Sequence, residues 1–309
     1  YNLSEEKCIK YVKDNVLKDY LVHLNSDLCK LYFTGFMVNK LLKCYLHVQD
    51  FDDRDSNINK RIDCVGPLLG SLTHQCFNKI SKDIKNYISK EINSGIWNIS
   101  KNYNDIINEI NIHKIIKSNY IENSLKSSMA TGNWGLKMNV SKQGVSQVLN
   151  RLSYLSTLSH IRRVQTPCSE NGKLIPPRKL HATSWGYICP SETPEGQSVG
   201  IVKNLSMTCE ITTKVCSKPV RELIHKYIIP FTDFNVHNMN KDDFIKVFIN
   251  GEWIGFTLHY EHIITNFKLY RNNGLIHIHS SIYFNAINRS IYVFPDGGRV
   301  IRSLLQIKN

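Results

Sequence analysis

The sequence lacks the features that would assign it to several common protein classes. No apolar run reaches the roughly 18 residues of a membrane-spanning helix, so none is predicted. The first residues, YNLSEEKCIKYVKDN, are charged where the apolar region of a secretory signal would lie. The patterns GxxxxGK[ST], HExxH and GxSxG are also absent, which argues against phosphate-loop ATPases, zinc proteases and α/β-hydrolases. Because the chain does not begin with methionine, we expect a piece of a longer or processed protein.

The cysteines lack any paired spacing. There are nine of them, no two form a CxxC pair, and none is spaced with a histidine as zinc ligands are. We therefore expect free thiols in an intracellular, reducing compartment, with no zinc site and no disulfide bond in this piece.

Acidic residues are scarce. The chain has 39 Lys and Arg against 26 Asp and Glu, which gives a formal net charge of +13. Residues 130–181 hold eight of the basic residues and one acid, Glu170. Such a concentration of positive charge favours a polyanionic partner, either nucleic acid or an anionic membrane surface.

The hydrophobic periodicity predicts an α+β protein with a mainly helical N-terminal half and a β-rich C-terminal third. Residues 1–50 are predicted to be helical, and the next helical block has apolar residues on one face. Period-two alternation over 205–213 predicts a half-buried strand, and Asn250-Gly251 between two apolar runs predicts a hairpin. The stripe expected to be buried is Leu41, Leu42, Tyr45 and Leu46, and the stripe on one face of the second block is Ile84, Tyr87, Ile88 and Ile92. The runs HIHSSIYF and SIYVFPDGGRV are predicted strands.

Residues 145–163 predict an amphipathic helix whose polar face has no carboxylate. Its apolar side is Val145, Val148, Leu149, Leu152, Leu155, Leu158 and Ile161. Amides, hydroxyls and guanidinium groups make up the other side, whereas ordinary solvated helix faces mix Glu with Lys. A face of this kind suits a phosphate backbone.

The segment CPSETPEGQSVGIVKNL, residues 189–205, combines a stiff backbone with acidic residues. Two prolines and two glycines restrict it, and Glu192 and Glu195 flank Thr193-Pro194. We interpret it as a loop that positions charges next to the basic helix. An internal salt-bridge network from these glutamates to Arg162, Arg163 or Arg178 is the other interpretation, and both can hold together.

Other residues have simpler interpretations. Asp52, Asp53 and Asp55 could hold a divalent metal, but the nearby basic residues favour a salt-bridged turn. For His160 we prefer a hydrogen-bonding role over acid–base catalysis, because no carboxylate lies near it in the sequence. Trp134 and Trp185 each precede a glycine, and we expect both to pack under loops.

Three runs of sequence carry a family resemblance: ATGNWG, GVSQVLNRLSYLSTLSHIRRVQTP and GKLIPPRKLHATSWGYICPSETPEGQSVGIVKNLS. Together they resemble the second-largest, beta-type subunit of multisubunit DNA-directed RNA polymerases, in the archaeal, eukaryotic and large-DNA-virus branch. DDRDSNINKRID, PLLGSL, VFINGEWIG and DGGRVIRSLL are weaker matches to the same family. The resemblance covers almost the whole chain as an internal fragment of a much longer subunit.

The resemblance implies four successive regions. These are the end of a lobe-like domain (1–64), the second part of a protrusion-like domain (65–128), a fork-like segment (129–204) and the start of an external β domain (205–309). The loops at 138–144 and 164–178 correspond to the two fork loops, beside the RNA–DNA hybrid and the downstream edge of the melted DNA.

The resemblance also implies roles for individual residues. We expect nucleic-acid contacts from Lys142, Gln147, Arg151, His160, Arg162, Arg163, Lys173, Arg178 and Lys179. Glu192, Glu195 and Gln197 are expected near the growing RNA end and the active centre. No catalytic residue or metal ligand is predicted, because nothing resembles the NADFDGD motif that binds the catalytic metal in the largest subunit.

As a whole, the resemblance implies a fragment of a nucleotidyltransferase that is inactive alone. Its expected partners are the largest subunit, other core subunits, template DNA and nascent RNA, and not a membrane. Mg²⁺ would be held by the largest subunit, and zinc would bind outside this fragment. The alternatives are a stand-alone basic nucleic-acid-binding module, or a split or decayed polymerase fragment with a role in assembly.

Overall fold

The computed structural model describes residues 4–24, 26–94, 112–113, 115–135, 142–167, 174–230, 244–304 and 307. The chain divides into two compact units, residues 1–60 with 210–301 and residues 61–209 with 302–309. We call them unit 1 and unit 2.

Helices and short strands are both present, and the predicted α+β class is confirmed. The α-helices are α1 (Glu5–Tyr11), α2 (Asp27–Tyr45), α3 (Val65–Asn93), α4 (Tyr120–Thr131), α5 (Tyr154–Ile161), α6 (Lys218–His225) and α7 (Tyr260–Asn272). The strands are β1 (Arg163–Gln165), β2 (Val202–Asn204), β3 (Cys209–Ile211), β4 (Ile245–Ile249), β5 (Glu252–Thr257), β6 (Ser281–Asn285), β7 (Ser290–Phe294) and β8 (Val300–Arg302).

Unit 1 is built on a four-stranded sheet in the order β5-β4-β7-β6. Strands β4 and β5 are antiparallel and form the predicted hairpin. On its other side, β4 pairs in parallel with β7. The two turn residues have positive φ, 50° at Asn250 and 84° at Gly251. A type I′ turn requires this geometry, and an Asn-Gly pair adopts it readily.

Both faces of this sheet are covered. On one face, Val247 and Ile291 belong to a buried core to which α6 contributes Ile224 and α7 contributes Phe267. On the other face, Phe248 and Trp253 are buried, and Phe33 and Phe36 of α2 pack against them.

Helix α2 forms where the periodicity predicts a helix, but its predicted buried stripe is wrong. Leu41 is 68% exposed and Tyr45 is 76% exposed, whereas Cys44 is buried. The face that packs on the sheet carries Phe33 and Phe36. Because α2 is apolar on more than one side, periodicity alone could not identify the side that packs.

Unit 2 contains α3 and α4, with Leu72 and Cys76 of α3 fully buried. In the predicted stripe of α3, Ile84, Tyr87 and Ile88 are half-buried, and Ile92 is at the surface. The indole Nε1 of Trp134 donates to the carbonyl of Leu68 at 2.9 Å, which fits the packing predicted for that tryptophan. Helix α4 ends at Gly132, whose φ is 73°.

The strand predicted over 205–213 is wrong in its length. Strand β3 covers Cys209–Ile211, and Met207 is 87% exposed instead of buried. The interruption is a turn in which the Cys209 amide donates to the Ser206 carbonyl at 3.1 Å. The Ser206 hydroxyl also donates to the Gly186 carbonyl, so local hydrogen bonds replace the ladder here.

Further findings bear on the metal, membrane and cysteine predictions. Asp52 pairs with Lys40, and the Asp53 carboxylate accepts from the Asp55 amide, as in a turn. No three His, Cys, Asp or Glu residues of the described ranges group as metal ligands do. Likewise, none of the helices that the structure describes is both long and apolar enough to cross a membrane. The eight cysteines within the described ranges are free thiols.

Candidate nucleic-acid interface

The helix predicted over 145–163 is much shorter, and α5 begins at Tyr154. Ser153 and Ser156 form a capping box in which each hydroxyl accepts a hydrogen bond from the other residue's amide, at 2.9 and 3.1 Å. Upstream, the Asn150 side chain accepts from the Leu152 amide at 3.0 Å. These side chains accept hydrogen bonds from backbone amides that would bond within a longer helix. The helix therefore begins at Tyr154 and does not extend further towards the N-terminus.

Most apolar side chains of this segment lie at the surface, whereas Val145 and Leu149 are half-buried. Val148 is 94% exposed, Leu152 is 90% exposed and Leu155 is 76% exposed. The prediction that the seven apolar residues share one side of a single helix is therefore wrong, because only Leu155, Leu158 and Ile161 lie in α5. The irregular backbone before Ser153 removes the helical register on which that prediction rested.

His160 holds the irregular segment against α5. Its Nδ1 accepts from the Asn150 amide at 3.0 Å, and its Nε2 lies 2.9 Å from the Gln147 side-chain oxygen. Because Nδ1 is an acceptor, the ring proton lies on Nε2 and is donated to Gln147. The Gln147 amide nitrogen then donates to the Gly144 carbonyl at 2.9 Å. The preferred hydrogen-bonding role of His160 is met by protein groups.

Arg162 and Arg178 brace the backbone. An Nη2 of Arg162 donates to the carbonyls of Ser206 and Cys209, at 2.5 and 2.9 Å. An Nη1 of Arg178 donates to the carbonyls of Gln197 and Val199, at 2.6 and 2.9 Å. Both arginines are half-buried, and part of each guanidinium group is hydrogen-bonded to carbonyl oxygens within unit 2.

Arg151, Arg163 and Lys179 are exposed, and within the described part of the chain none of the three meets a carboxylate. By contrast, Lys142 forms an ion pair with Asp63. Lys173 lies outside the described residues. Among the described residues of the basic stretch, these three exposed cations are available to an anionic ligand.

The loop between Cys189 and Ile201 is closed by contacts within itself. The Thr193 hydroxyl accepts from the Gly200 amide at 2.9 Å and donates to the Val202 carbonyl at 3.0 Å. Gly200 has a φ of 70°, and a Cβ there would lie 2.3 Å from the carbonyl oxygen of Arg178. A side chain at this position is therefore excluded both by strain and by space.

The acidic residues of this loop are exposed, as is Gln197. Glu192 accepts a hydrogen bond from the Ser159 hydroxyl on α5. In the described residues neither Glu192 nor Glu195 pairs with Arg162 or Arg163, so that part of the salt-bridge interpretation is wrong. Arg162 and Arg178 instead meet carbonyl oxygens, which sequence spacing does not reveal.

Trp185 and Asn204 are two further residues of this site, one exposed and one buried. Trp185 is 85% exposed, so its predicted packing under a loop is wrong. Asn204, at the end of β2, is 3% exposed, and its amide donates to the Glu192 carbonyl at 3.3 Å. No sequence pattern singled out Asn204 or Ser159, which lie 12 and 33 residues from Glu192.

Family models match three parts of the chain in order. They are RNA polymerase Rpb2, domain 2, at residues 2–63, domain 3 at residues 147–211 and domain 4 at residues 247–308. The domain 3 match contains α5, the loop of Glu192 and the exposed Arg151, Arg163 and Lys179.

Curated relatives are similar over nearly the whole chain. The DNA-directed RNA polymerase II subunit RPB2 of Meyerozyma guilliermondii is 40% identical over 98% of this chain and 24% of its own length. Subunit 2 of the Arabidopsis thaliana polymerase II is 35% identical over 99% of this chain and 25% of its own length. The DNA-directed RNA polymerase subunit 2 of Acanthamoeba polyphaga mimivirus is 36% identical over 90% of this chain and 23% of its own length.

The chain thus spans about a quarter of the length of these curated relatives. The three family models, in their numerical order, and the near-complete coverage agree with the motifs found in the sequence. The chain belongs to the family of second-largest subunits of DNA-directed RNA polymerases.

Proposed function

We propose that this chain is a segment of a DNA-dependent RNA polymerase that lines the channel for the RNA–DNA hybrid and the downstream DNA. The single observation that carries the proposal is the set of three exposed cations, Arg151, Arg163 and Lys179, within the domain 3 match. Such cations neutralise phosphates without reading sequence, which a polymerase needs in order to transcribe any template.

The polar groups next to these cations fit the same surface. Gln147 is exposed, and its side chain is oriented by His160 and by the Gly144 carbonyl. Amides can hydrogen-bond the ribose 2′-hydroxyl, the group by which a protein distinguishes RNA from DNA. We therefore propose that Gln147 contacts the RNA strand directly, while His160 orients it.

We further propose that Glu192, Glu195 and Gln197 lie near the growing RNA end. Their loop is closed by Thr193 and braced by Arg178, so its acidic side chains project from a fixed backbone. A carboxylate near the phosphates would limit how tightly the product binds and would ease translocation.

The chemical step is proposed to take place on the largest subunit, where Mg²⁺ stabilises the charge that develops during phosphoryl transfer. The part of this segment within the proposal is a binding surface, which the exposed Arg151, Arg163 and Lys179 support. The proposed partners are the largest subunit, the other core subunits, template DNA and nascent RNA.

A crosslinking experiment tests this proposal. The full-length second-largest subunit that contains this segment is assembled with its core partners on a scaffold whose RNA carries 4-thiouridine near the 3′ end. After irradiation, mass spectrometry should find RNA-linked peptides within residues 151–163 or 176–197.

Helix α7 of unit 1 serves as the internal control for this experiment. We expect its peptide, residues 260–272, to stay unmodified, although it contains Lys268 and two tyrosines. RNA-linked peptides elsewhere in the subunit, with none from residues 151–197, would contradict the proposed function.

A further inference from the structure

Glu192 is held from two sides by residues that no motif identifies. The Ser159 hydroxyl on α5 donates to the Glu192 carboxylate, and it also lies 3.4 Å from the side-chain oxygen of Asn204. Asn204 is buried, and its amide donates to the Glu192 backbone carbonyl at 3.3 Å. One partner therefore fixes the backbone of Glu192 and the other fixes its side chain.

The rest of the loop does not need Ser159. Thr193 closes the loop through Gly200 and Val202, and Arg178 holds the carbonyls of Gln197 and Val199. These contacts set the path of the backbone. The Glu192 carboxylate is otherwise exposed, so without the Ser159 hydroxyl it would sample several rotamers in water.

We propose that Ser159 is a positioning residue that holds the Glu192 carboxylate in one orientation for its role near the growing RNA end. This inference rests on the proposed function. A hydroxyl-to-carboxylate hydrogen bond is directional and stronger than one between neutral groups, so a single such bond can select a rotamer. Ser159 is suited to this because α5, anchored by its capping box, gives the hydroxyl a fixed place.

A double-mutant cycle in the assembled polymerase tests the inference. Ser159→Ala, Glu192→Ala and the double variant are compared by the maximal rate of nucleotide addition and by the KM for the nucleoside triphosphate. Ser159→Ala should change the maximal rate by about threefold, in the same direction as Glu192→Ala, with KM within about twofold. In the Glu192→Ala background, Ser159→Ala should have no further effect.

Two further variants separate positioning from helix stability. Ser159→Thr keeps the hydroxyl and should restore the wild-type rate. Ser156→Ala makes the same substitution on the same helix and removes the capping box, but it leaves the Glu192 contact in place. Any effect of Ser156→Ala should persist unchanged in the Glu192→Ala background.

Each other outcome overturns the inference. A wild-type rate for Ser159→Ala alongside a changed rate for Glu192→Ala rejects the role of Ser159 alone. If the effects of Ser159→Ala and Glu192→Ala on the rate add in the double variant, Ser159 acts independently of Glu192 and has only a structural role. If Glu192→Ala itself leaves nucleotide addition unchanged, the inference fails together with the proposed role of Glu192, whereas the RNA crosslinks decide the channel proposal separately.

Discussion

Adjacent arginines in this chain have different physical roles. Arg162 donates to the carbonyls of Ser206 and Cys209, whereas Arg163 is exposed at the start of β1. The sequence alone assigns both to the same basic surface. The difference arises because Arg162 caps the C-terminal end of α5 and its side chain reaches the turn at Ser206–Cys209, whereas Arg163 begins β1 with its side chain at the surface.

Lys246 is a second residue whose environment the sequence does not reveal. It lies in β4 with its Nζ 5.6 Å from the centre of the Phe36 ring. Burial, together with the charge of Lys43, lowers the pKa of Lys246 below its ordinary value of 10.5. Between the lowered pKa of Lys246 in the folded chain and its pKa of 10.5 in the unfolded chain, the unfolded chain binds more protons. The free energy of unfolding therefore rises with pH in that range, as Lys246 of the folded chain loses its proton.

Lys43→Met should raise the pKa of Lys246, because it removes the nearby like charge. The pKa should stay below 10.5, since burial is the larger cause and remains. Competitive acetylation across a pH series, read by mass spectrometry, measures the midpoint for Lys246. Lys268→Met, which removes an exposed lysine from α7, should leave that midpoint in place. A midpoint unmoved by Lys43→Met would show that the lysine charges do not interact.

Prediction from sequence worked for residues whose partners are near in the sequence. His160 was expected to form hydrogen bonds, and its partners Gln147 and Asn150 lie within 13 residues of it. One of the two interpretations paired Glu192 with an arginine, but the Glu192 carboxylate accepts from Ser159, 33 residues away. Spacing constrains local pairs, whereas distant pairs depend on how α5 packs, which no pattern in one sequence reports.

At the scale of elements, the strongest predictions are those set by backbone geometry. The Asn250-Gly251 hairpin formed as predicted, because both residues tolerate the positive φ that the turn requires. The helix predicted over 145–163 failed, because periodicity counts apolar positions and ignores the hydroxyl and amide side chains that start α5 at Tyr154.

Substitution of Gly251 measures how much the hairpin depends on that geometry. Its φ is 84°, and an added Cβ would meet nothing within 4 Å, so the cost of Gly251→Ala is conformational strain alone. We expect the free energy of unfolding of unit 1 to fall by roughly 1–2 kcal/mol. Urea unfolding, followed by the fluorescence of Trp253 in a chain whose other three tryptophans are replaced by phenylalanine, gives the value.

The matched control is Gly35→Ala in the interior of α2, which belongs to the same unit. A Cβ at Gly35 also meets nothing within 4 Å, but the backbone there is helical. This variant should gain about 0.5–1 kcal/mol, because alanine favours the helix over glycine. Equal effects of the two substitutions would contradict the account of the turn.

At the scale of the whole molecule, the α+β fold class could be predicted from the sequence, but which apolar side chains are buried could not. The balance of helix and strand followed from periodicity, whereas Leu41 and Tyr45, expected to be buried, are exposed. A pattern shows that a side is apolar, but it does not show what covers that side. The region boundaries implied by the family resemblance, after residues 64, 128 and 204, stay predictions.

The excess of positive charge is the property of the whole chain that bears most on function. The chain carries +13, and eight of its basic residues lie between residues 130 and 181. The structure divides those it describes into internal braces, such as Arg162, and exposed cations, such as Arg163. The central claim is that the exposed cations contact phosphates in the assembled polymerase.

The most direct test is the salt dependence of binding. The affinity of the assembled polymerase for an RNA–DNA hybrid scaffold is measured over a range of salt concentrations, for the wild type, Arg163→Ala and the control Lys268→Ala. Arg163→Ala should reduce the slope of log K against log salt by about 0.7–0.9, the value for one lost phosphate contact, and Lys268→Ala should not change it. A slope that Arg163→Ala leaves unaltered would contradict the claim.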